Sequence, residues 1–185
     1  MPTPNEHKMT AEEFFKFTPE NESERYELIN GEIVAQAAPS TIHQRLIGNL
    51  FFSIKSFIKF NKGKCEPFIS PYDVVLDEET VVQPDVLVVC DPAHIDDKRC
   101  HGAPDFIIEV TSSNYGRDYG EKLALYRNAG VREYWIVDPK YKKVIVYYFE
   151  ETDIPQIFDF DNTIYVNIYK NNDIKLEINI AELLK

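Results

Sequence analysis

Cysteine is scarce in this chain of 185 residues: Cys65, Cys90 and Cys100 are the only three, and none stands in a C-x-x-C pair. An odd number at such spacing argues against a disulfide or zinc framework and fits a reducing cytoplasm. No apolar run approaches the roughly 18–20 residues that cross a bilayer. The opening Met1-Pro2-Thr3-Pro4-Asn5-Glu6-His7-Lys8 also lacks the apolar core of a secretion signal. There is no P-loop and no dinucleotide-binding glycine motif, so the usual glycine cradles for nucleotide phosphates are missing. Ser112 and Ser113 have no His–Asp partner pattern, and serine hydrolysis is not expected. Repeats, low-complexity stretches and flexible linkers are absent as well. What is present is 44% hydrophobic and 13% aromatic residues, which argues for a packed core against a disordered chain. At this length, one domain over 1–185 is the natural count.

Positive charge is short overall, with a net charge of −11. Phosphate binding normally shows as a basic surface, so this balance speaks against a nucleic-acid partner. The charge is uneven, however. No acidic residue lies between Glu32 and Glu66, where Arg45, Lys55, Lys59, Lys62 and Lys64 all fall, whereas the segment after Phe149 is strongly acidic. Two readings stand: a local basic face on an acidic protein, or a solvated helix face.

The elements read as a mixed β-sheet flanked by helices, an α/β domain. Residues 10–17 form a short helix capped by Thr10 with Glu13 three residues on. A hairpin spans 26–36 around Asn30-Gly31. The longest helix covers 41–60, its apolar set Ile47, Leu50, Ile54, Phe57 and Ile58 following helical spacing after Pro39. Strands are expected over 66–76 and 81–89, joined by the acidic turn Asp77-Glu78-Glu79-Thr80, and a polar loop over 91–102. A second hairpin joins 133–137 to 144–149, and the alternation over 174–180 predicts an outer strand.

Chemistry is carried by acids in apolar surroundings. Asp85 lies in Val81-Val82-Gln83-Pro84-Asp85-Val86-Leu87-Val88-Val89, and Glu109 in Pro104-Asp105-Phe106-Ile107-Ile108-Glu109-Val110-Thr111. Strands this apolar rarely carry a carboxylate without a reason, because an isolated buried carboxylate is driven neutral. A divalent cation would pair two that meet, and hard oxygen ligands suit Mg²⁺ or Mn²⁺. The alternative is that both acids cap strand ends. Asp105 shares the face of Glu109, but Pro104 beside it points to capping. After Glu109, Thr111-Ser112-Ser113-Asn114-Tyr115-Gly116 is a polar turn. Asp118-Tyr119-Gly120-Glu121 then opens a helix that runs through Lys122 to Ala129 and stops at Gly130. Asp118, Lys122 and Tyr126 share one helical face. An acid pair with a nearby ammonium suits phosphodiester hydrolysis, in which a cation polarises the phosphoryl oxygen and acidifies a water while the lysine orients it. An exposed ion pair of Lys122 with Asp118 and Glu121 is the alternative.

These pieces, together with Tyr26-Glu27-Leu28-Ile29-Asn30-Gly31-Glu32-Ile33, His43 in its helix, Gln83-Pro84-Asp85-Val86 and Ala129-Gly130-Val131-Arg132-Glu133-Tyr134-Trp135-Ile136-Val137-Asp138-Pro139, follow one another over nearly the whole chain. In that order the sequence resembles the PD-(D/E)XK nuclease superfamily and, within it, the Uma-type restriction endonuclease family. The resemblance implies a restriction-endonuclease-like fold with added β-hairpins. It also implies a metal-dependent endonuclease acting on DNA, with Asp85 and Glu109 in the ligand positions and the carbonyl of Val110 as a further ligand. The position of the motif's lysine holds Thr111, and Lys122 is its substitute. Superfamily sites recruit a further acid from an early element, which makes Glu32 a candidate. His43 is either a satisfied core histidine or a contact of the cleft, and Tyr126 either bonds toward Lys122 or packs. A homodimer is expected, from the two-fold symmetry of a duplex and from the aromatic-rich hairpin Tyr141–Phe149, with Tyr147, Tyr148 and Phe149 consecutive, where at least one large aromatic should face outward. The competing reading, favoured by the net charge and Thr111, is a non-catalytic nucleic-acid-binding or assembly module that keeps the fold.

Overall fold

Two prolines divide what the sequence presents as two long strands. The computed structural model, which describes residues 8–17, 25–111, 120–152, 154–171 and 175–185, cuts 66–76 into β3 (Glu66–Ile69) and β4 (Val74–Asp77) around Pro71. It cuts 81–89 into β5 (Thr80–Val82) and β6 (Val86–Val89) around Pro84. Proline brings no N–H to a ladder, so at each break the chain leaves one sheet and joins another. The described strands therefore fall into two large mixed sheets and a small two-stranded one.

The first sheet has the order β2 (Glu32–Ala35), β1 (Tyr26–Ile29), β5, β4, β7 (Cys100–His101). Its β1 (Tyr26–Ile29) and β2 (Glu32–Ala35) form the expected hairpin, with Asn30 (φ 51°) and Gly31 (φ 83°) supplying the positive φ of its turn. β7 (Cys100–His101) runs parallel to β4 from the segment expected to be loop. α1 (Ala11–Phe17) covers this sheet through Phe14 on Leu28 and Val81. The box that starts α1 is formed: Glu13 N–H donates to Thr10 Oγ1 (3.2 Å), and Thr10 N–H donates to Glu13 Oε2 (2.9 Å).

The second sheet adds β8 (Phe106–Val110), β9 (Glu133–Asp138), β10 (Lys143–Tyr148) and β11 (Gln156–Asp159) in the order β11-β10-β9-β8-β6-β3. Alternation sorts its side chains by face. Val86, Val88, Phe106, Ile108, Trp135 and Val137 pack beneath α2 (Thr41–Phe60), while Leu87, Ile107, Tyr134 and Ile136 pack with Tyr126 of α3 (Lys122–Ala129). Ser40 caps α2, its Oγ accepting from His43 N–H (3.3 Å). β8 and β9 are parallel, with α3 in their crossover, and Gly130 ends α3 at φ 97°. The Asp118 start assigned to this helix, like the turn from Ser112, lies outside the described residues. Of the strand expected over 174–180, whose first residue lies outside the described residues, 175–180 hold β13 (Glu177–Ile178), paired with β12 (Ile164–Tyr165). Asn179 then caps α4 (Ile180–Leu183), accepting from Glu182 N–H (3.0 Å), which turns the chain out of the ladder. No helix among the described residues is long and apolar enough to cross a membrane.

One expectation is corrected. Cys65 and Cys90 are joined by a disulfide, and Cys100 is free and buried. The β3–β6 register pairs Glu66 with Val89, so the next pair outward is Cys65 opposite Cys90. In the hairpin Tyr141–Phe149, Tyr148 is in the core and Tyr147 stacks between Tyr134 (6.1 Å) and Phe149 (5.7 Å), while Tyr141 at the turn is 62% exposed, so one large aromatic does face outward.

Glu133 in β9 is 1% exposed and accepts from Trp135 Nε1–H (2.7 Å) and from the N–H groups of Asn167 (2.7 Å) and Ile168 (3.0 Å). Burial pushes its carboxyl up to about 7, against the three donors that hold it down. The folded state thus keeps a proton that the unfolded chain releases from about pH 4.5 upward. This contribution to stability is full below that pH and is lost as the pH rises through about 7, a change on the order of 3 kcal/mol. Urea midpoints of the parent and of Glu133→Gln at about pH 5 and about pH 8 should show the parent losing more than the variant.

Candidate active site

The chain crosses from the first sheet to the second at Gln83-Pro84-Asp85, and a cleft opens at that crossing. β6 and β8 are antiparallel, with Val86 opposite Ile108, so the next pair outward is Asp85 opposite Glu109. Like charges in such positions repel unless something compensates them. Asp85, whose side chain is 14% exposed, therefore stands at the corner before β6 and not inside a strand. Backbone groups hold the pair: Val110 N–H donates to Asp85 Oδ2 (2.8 Å), and Asp85 N–H lies 3.4 Å from Glu109 Oε2.

Lys122, in the first turn of α3, reaches the acids from the other side. Its ammonium is 3.0 Å from Glu109 Oε1 and 3.0 Å from Glu27 Oε1, and the three side chains are 6%, 5% and 2% exposed. An exposed helix ion pair is thereby ruled out. Tyr126, one turn on, donates to Glu109 Oε1 (2.6 Å), the carboxylate oxygen that Lys122 also meets, so its partner is Glu109 and not Lys122 itself. Burial, with the charges of Glu109 and Glu27, pushes its phenol well above the ordinary range, so it stays a donor. His43 faces the cleft from α2, with Nε2 3.0 Å from Asp85 Oδ2 and Nδ1 buried without a partner among the described residues. Thr111 is buried and uncharged at the position of the motif's lysine.

Glu32 does not join them. It is exposed at the start of β2 and does not line the cleft, and the early acid at the site is Glu27 in β1. The Glu27 carboxylate also accepts from Gln83 N–H (2.9 Å), which fixes the start of the crossing segment against β1. Sequence reasoning passed over Glu27, although Tyr26-Glu27-Leu28-Ile29 carries the signal that singled out Asp85 and Glu109: an acid among strand-forming apolar residues. Arg25 lines the cleft too, donating to Ser70 Oγ (3.0 Å). Asp105 takes the capping position, accepting from Cys90 N–H (2.7 Å) and from Arg132 (2.9 Å), away from the cleft. His101 pairs with Asp96 at the surface (2.8 Å).

The donor set fits a hard cation. Asp85 and Glu109 bring carboxylate oxygens to one cleft, and Asp85 Oδ1 accepts no hydrogen bond among the described residues. Among those residues no group of three His, Cys, Asp or Glu side chains is arranged around an ion, so a cation would rest on two carboxylates and backbone oxygen.

A mixed sheet flanked by helices, with two facing acids and a lysine at one end, defines the restriction-endonuclease-like class of α/β domain. The chain belongs to the Uma2 family, whose description is "Putative restriction endonuclease" and whose family model matches residues 11–171. It is 29% identical over 135 residues to the uncharacterized protein sll1609 of Synechocystis sp. (strain ATCC 27184 / PCC 6803 / Kazusa), a match covering 70% of this chain and 75% of that protein. A crystal structure described as "a putative nuclease belonging to DUF820" from Anabaena variabilis ATCC 29413 superposes with a TM-score of 0.76. It shares 22% identity, over 95% of this chain and 97% of that one, and shows the same fold.

Proposed function

We propose that this protein is a Mg²⁺- or Mn²⁺-dependent endonuclease that hydrolyses DNA phosphodiester bonds. The observation that supports this reading best is the meeting of Asp85, Glu109 and Lys122 at one cleft, from two strands and a helix. Asp85, Glu109 and the carbonyl of Val110 would hold the cation, which supplies charge against the phosphoryl oxygens and acidity to a water. Val110 N–H and His43 fix the Asp85 carboxylate in one orientation. Tyr126 and Lys122 do the same for Glu109, and the Lys122 ammonium offsets negative charge developing on the phosphate. Cutting both strands of a duplex would favour two copies in a symmetric pair.

Calorimetry with Mn²⁺ and cleavage assays on plasmid and linear DNA test the proposal. The parent should bind Mn²⁺, gaining about 2.7 kcal/mol of stability at roughly 100 times the Kd, and should cleave. Asp85→Asn should lose both effects. Equal Mn²⁺ binding by the two proteins would remove Asp85 as a ligand. The competing reading, a non-catalytic module, is favoured by the uncharged Thr111 and expects no cleavage by the parent.

A further inference from the structure

We propose that the outer face of α2 binds single-stranded DNA and leads it toward the cleft. The helix starts at the cleft wall, where Pro39 and His43 stand, and its 20 residues carry it about 30 Å away. Arg45, Phe52 and Lys59 recur at intervals of seven, and Lys55 falls between them, so they form one ridge on the side opposite the buried apolar stripe. Lys62 and Lys64 continue the positive charge past the helix end.

This charge is uncompensated. Arg45, Lys55, Lys59, Lys62 and Lys64 are all exposed, and none pairs with a carboxylate among the described residues. Elsewhere in the same molecule Lys16, Arg132, Lys143, Lys170 and Lys185 each hold one. A protein of net charge −11 that keeps every acid out of residues 33–65 presents one face to a polyanion. The aromatic side chains narrow the choice. Phe52 is 72% exposed in the middle of the ridge, and Phe60 is 86% exposed at its end beside Lys59. Cations that follow a phosphate backbone, interleaved with rings on which unpaired bases stack, suit a single strand; a duplex hides its base faces. An anionic membrane would be met by the same charges, but this helix begins at the cleft assigned to phosphodiester cleavage. The choice of DNA rests on that assignment.

Anisotropy of a fluorescein-labelled oligothymidylate, with EDTA present so that nothing is cleaved, is the test. Phe52→Ser should weaken binding by roughly tenfold or more, the scale of one stacked base. Lys55→Gln/Lys59→Gln should flatten the logarithmic salt dependence by about 0.7 for each phosphate that is no longer neutralised. Lys98→Gln/Lys142→Gln, which removes the same charge from exposed positions elsewhere, should do neither. Undiminished binding by the α2 variants would overturn the proposal, as would an equal loss for a duplex probe. Binding to phosphatidylserine vesicles without binding to the oligonucleotide would overturn it too. A parent that binds through this face but never cleaves would sink the nuclease reading alone. A parent that cleaves while the α2 variants bind normally would sink this proposal alone.

Discussion

Lys122→Ala is expected to cost roughly 3–5 kcal/mol of stability and, at a temperature where the variant stays folded, to cut DNA cleavage by roughly 10²-fold or more. Both losses have one origin. The ammonium sits 3.0 Å from each of two carboxylates that are themselves almost wholly buried, so its removal leaves two anions facing each other out of water. For a chain of this size that amounts to a drop in thermal midpoint on the order of 10 °C. The same burial means that cleavage alone cannot say what the lysine does, since a poorly folded variant also fails to cleave. Lys122→Met keeps the stem and removes the charge, and adding Glu27→Gln takes away one of the stranded carboxylates. The double variant should recover part of the midpoint without recovering turnover, because the ammonium that offsets charge on the phosphate is still missing. Thermal melts and cleavage rates on the parent, both single variants and the double variant form the cycle. Full cleavage by folded Lys122→Met would return the residue to a purely structural role.

Local signals in the sequence were sufficient for elements whose causes are local. Asn30-Gly31 marks its hairpin, Thr10 and Glu13 mark the start of α1, and the spacing of Ile47, Leu50, Ile54 and Ile58 marks α2, because each acts within a few residues of itself. Asp85 and Glu109 were legible for another local reason, a charge inside an apolar run. What stayed hidden depends on registers between distant segments. Pro71 and Pro84 are visible, yet the sheet that each half-strand joins depends on its partners. Glu27 gains its meaning only when β1 is set beside β5 and α3 lays Lys122 against it. Cys65 and Cys90 are 25 residues apart, and their pairing follows from the β3–β6 ladder alone. Which ring of the hairpin Tyr141–Phe149 faces outward also depends on partners: rings on β9 and β10 stack on Tyr147, and Tyr141 at the turn is the exposed one.

That ladder carries the second large effect. β3 is the edge strand of its sheet, and the Cys65–Cys90 bond fastens it to β6, the strand whose other end carries Asp85. Closing a loop of 25 residues removes freedom from the unfolded chain worth about 3–4 kcal/mol. Reduction by excess dithiothreitol, or Cys65→Ser, should therefore lower the urea midpoint by an amount that corresponds to that free energy. The reduced protein should also fray first at β3, since an edge strand held by one ladder opens before a central one. The fraying has a route to the cleft: Ser70, just past β3, donates its N–H to the Asp85 carbonyl (3.0 Å), and its hydroxyl accepts from Arg25. Cleavage should accordingly fall on reduction, but by less than it does in Lys122→Ala, because β6 and β8 still hold Asp85 opposite Glu109. Thiol counting in denaturant gives an independent check. Protein prepared without reductant should show one free thiol, that of Cys100, and three would mean that the bond does not form.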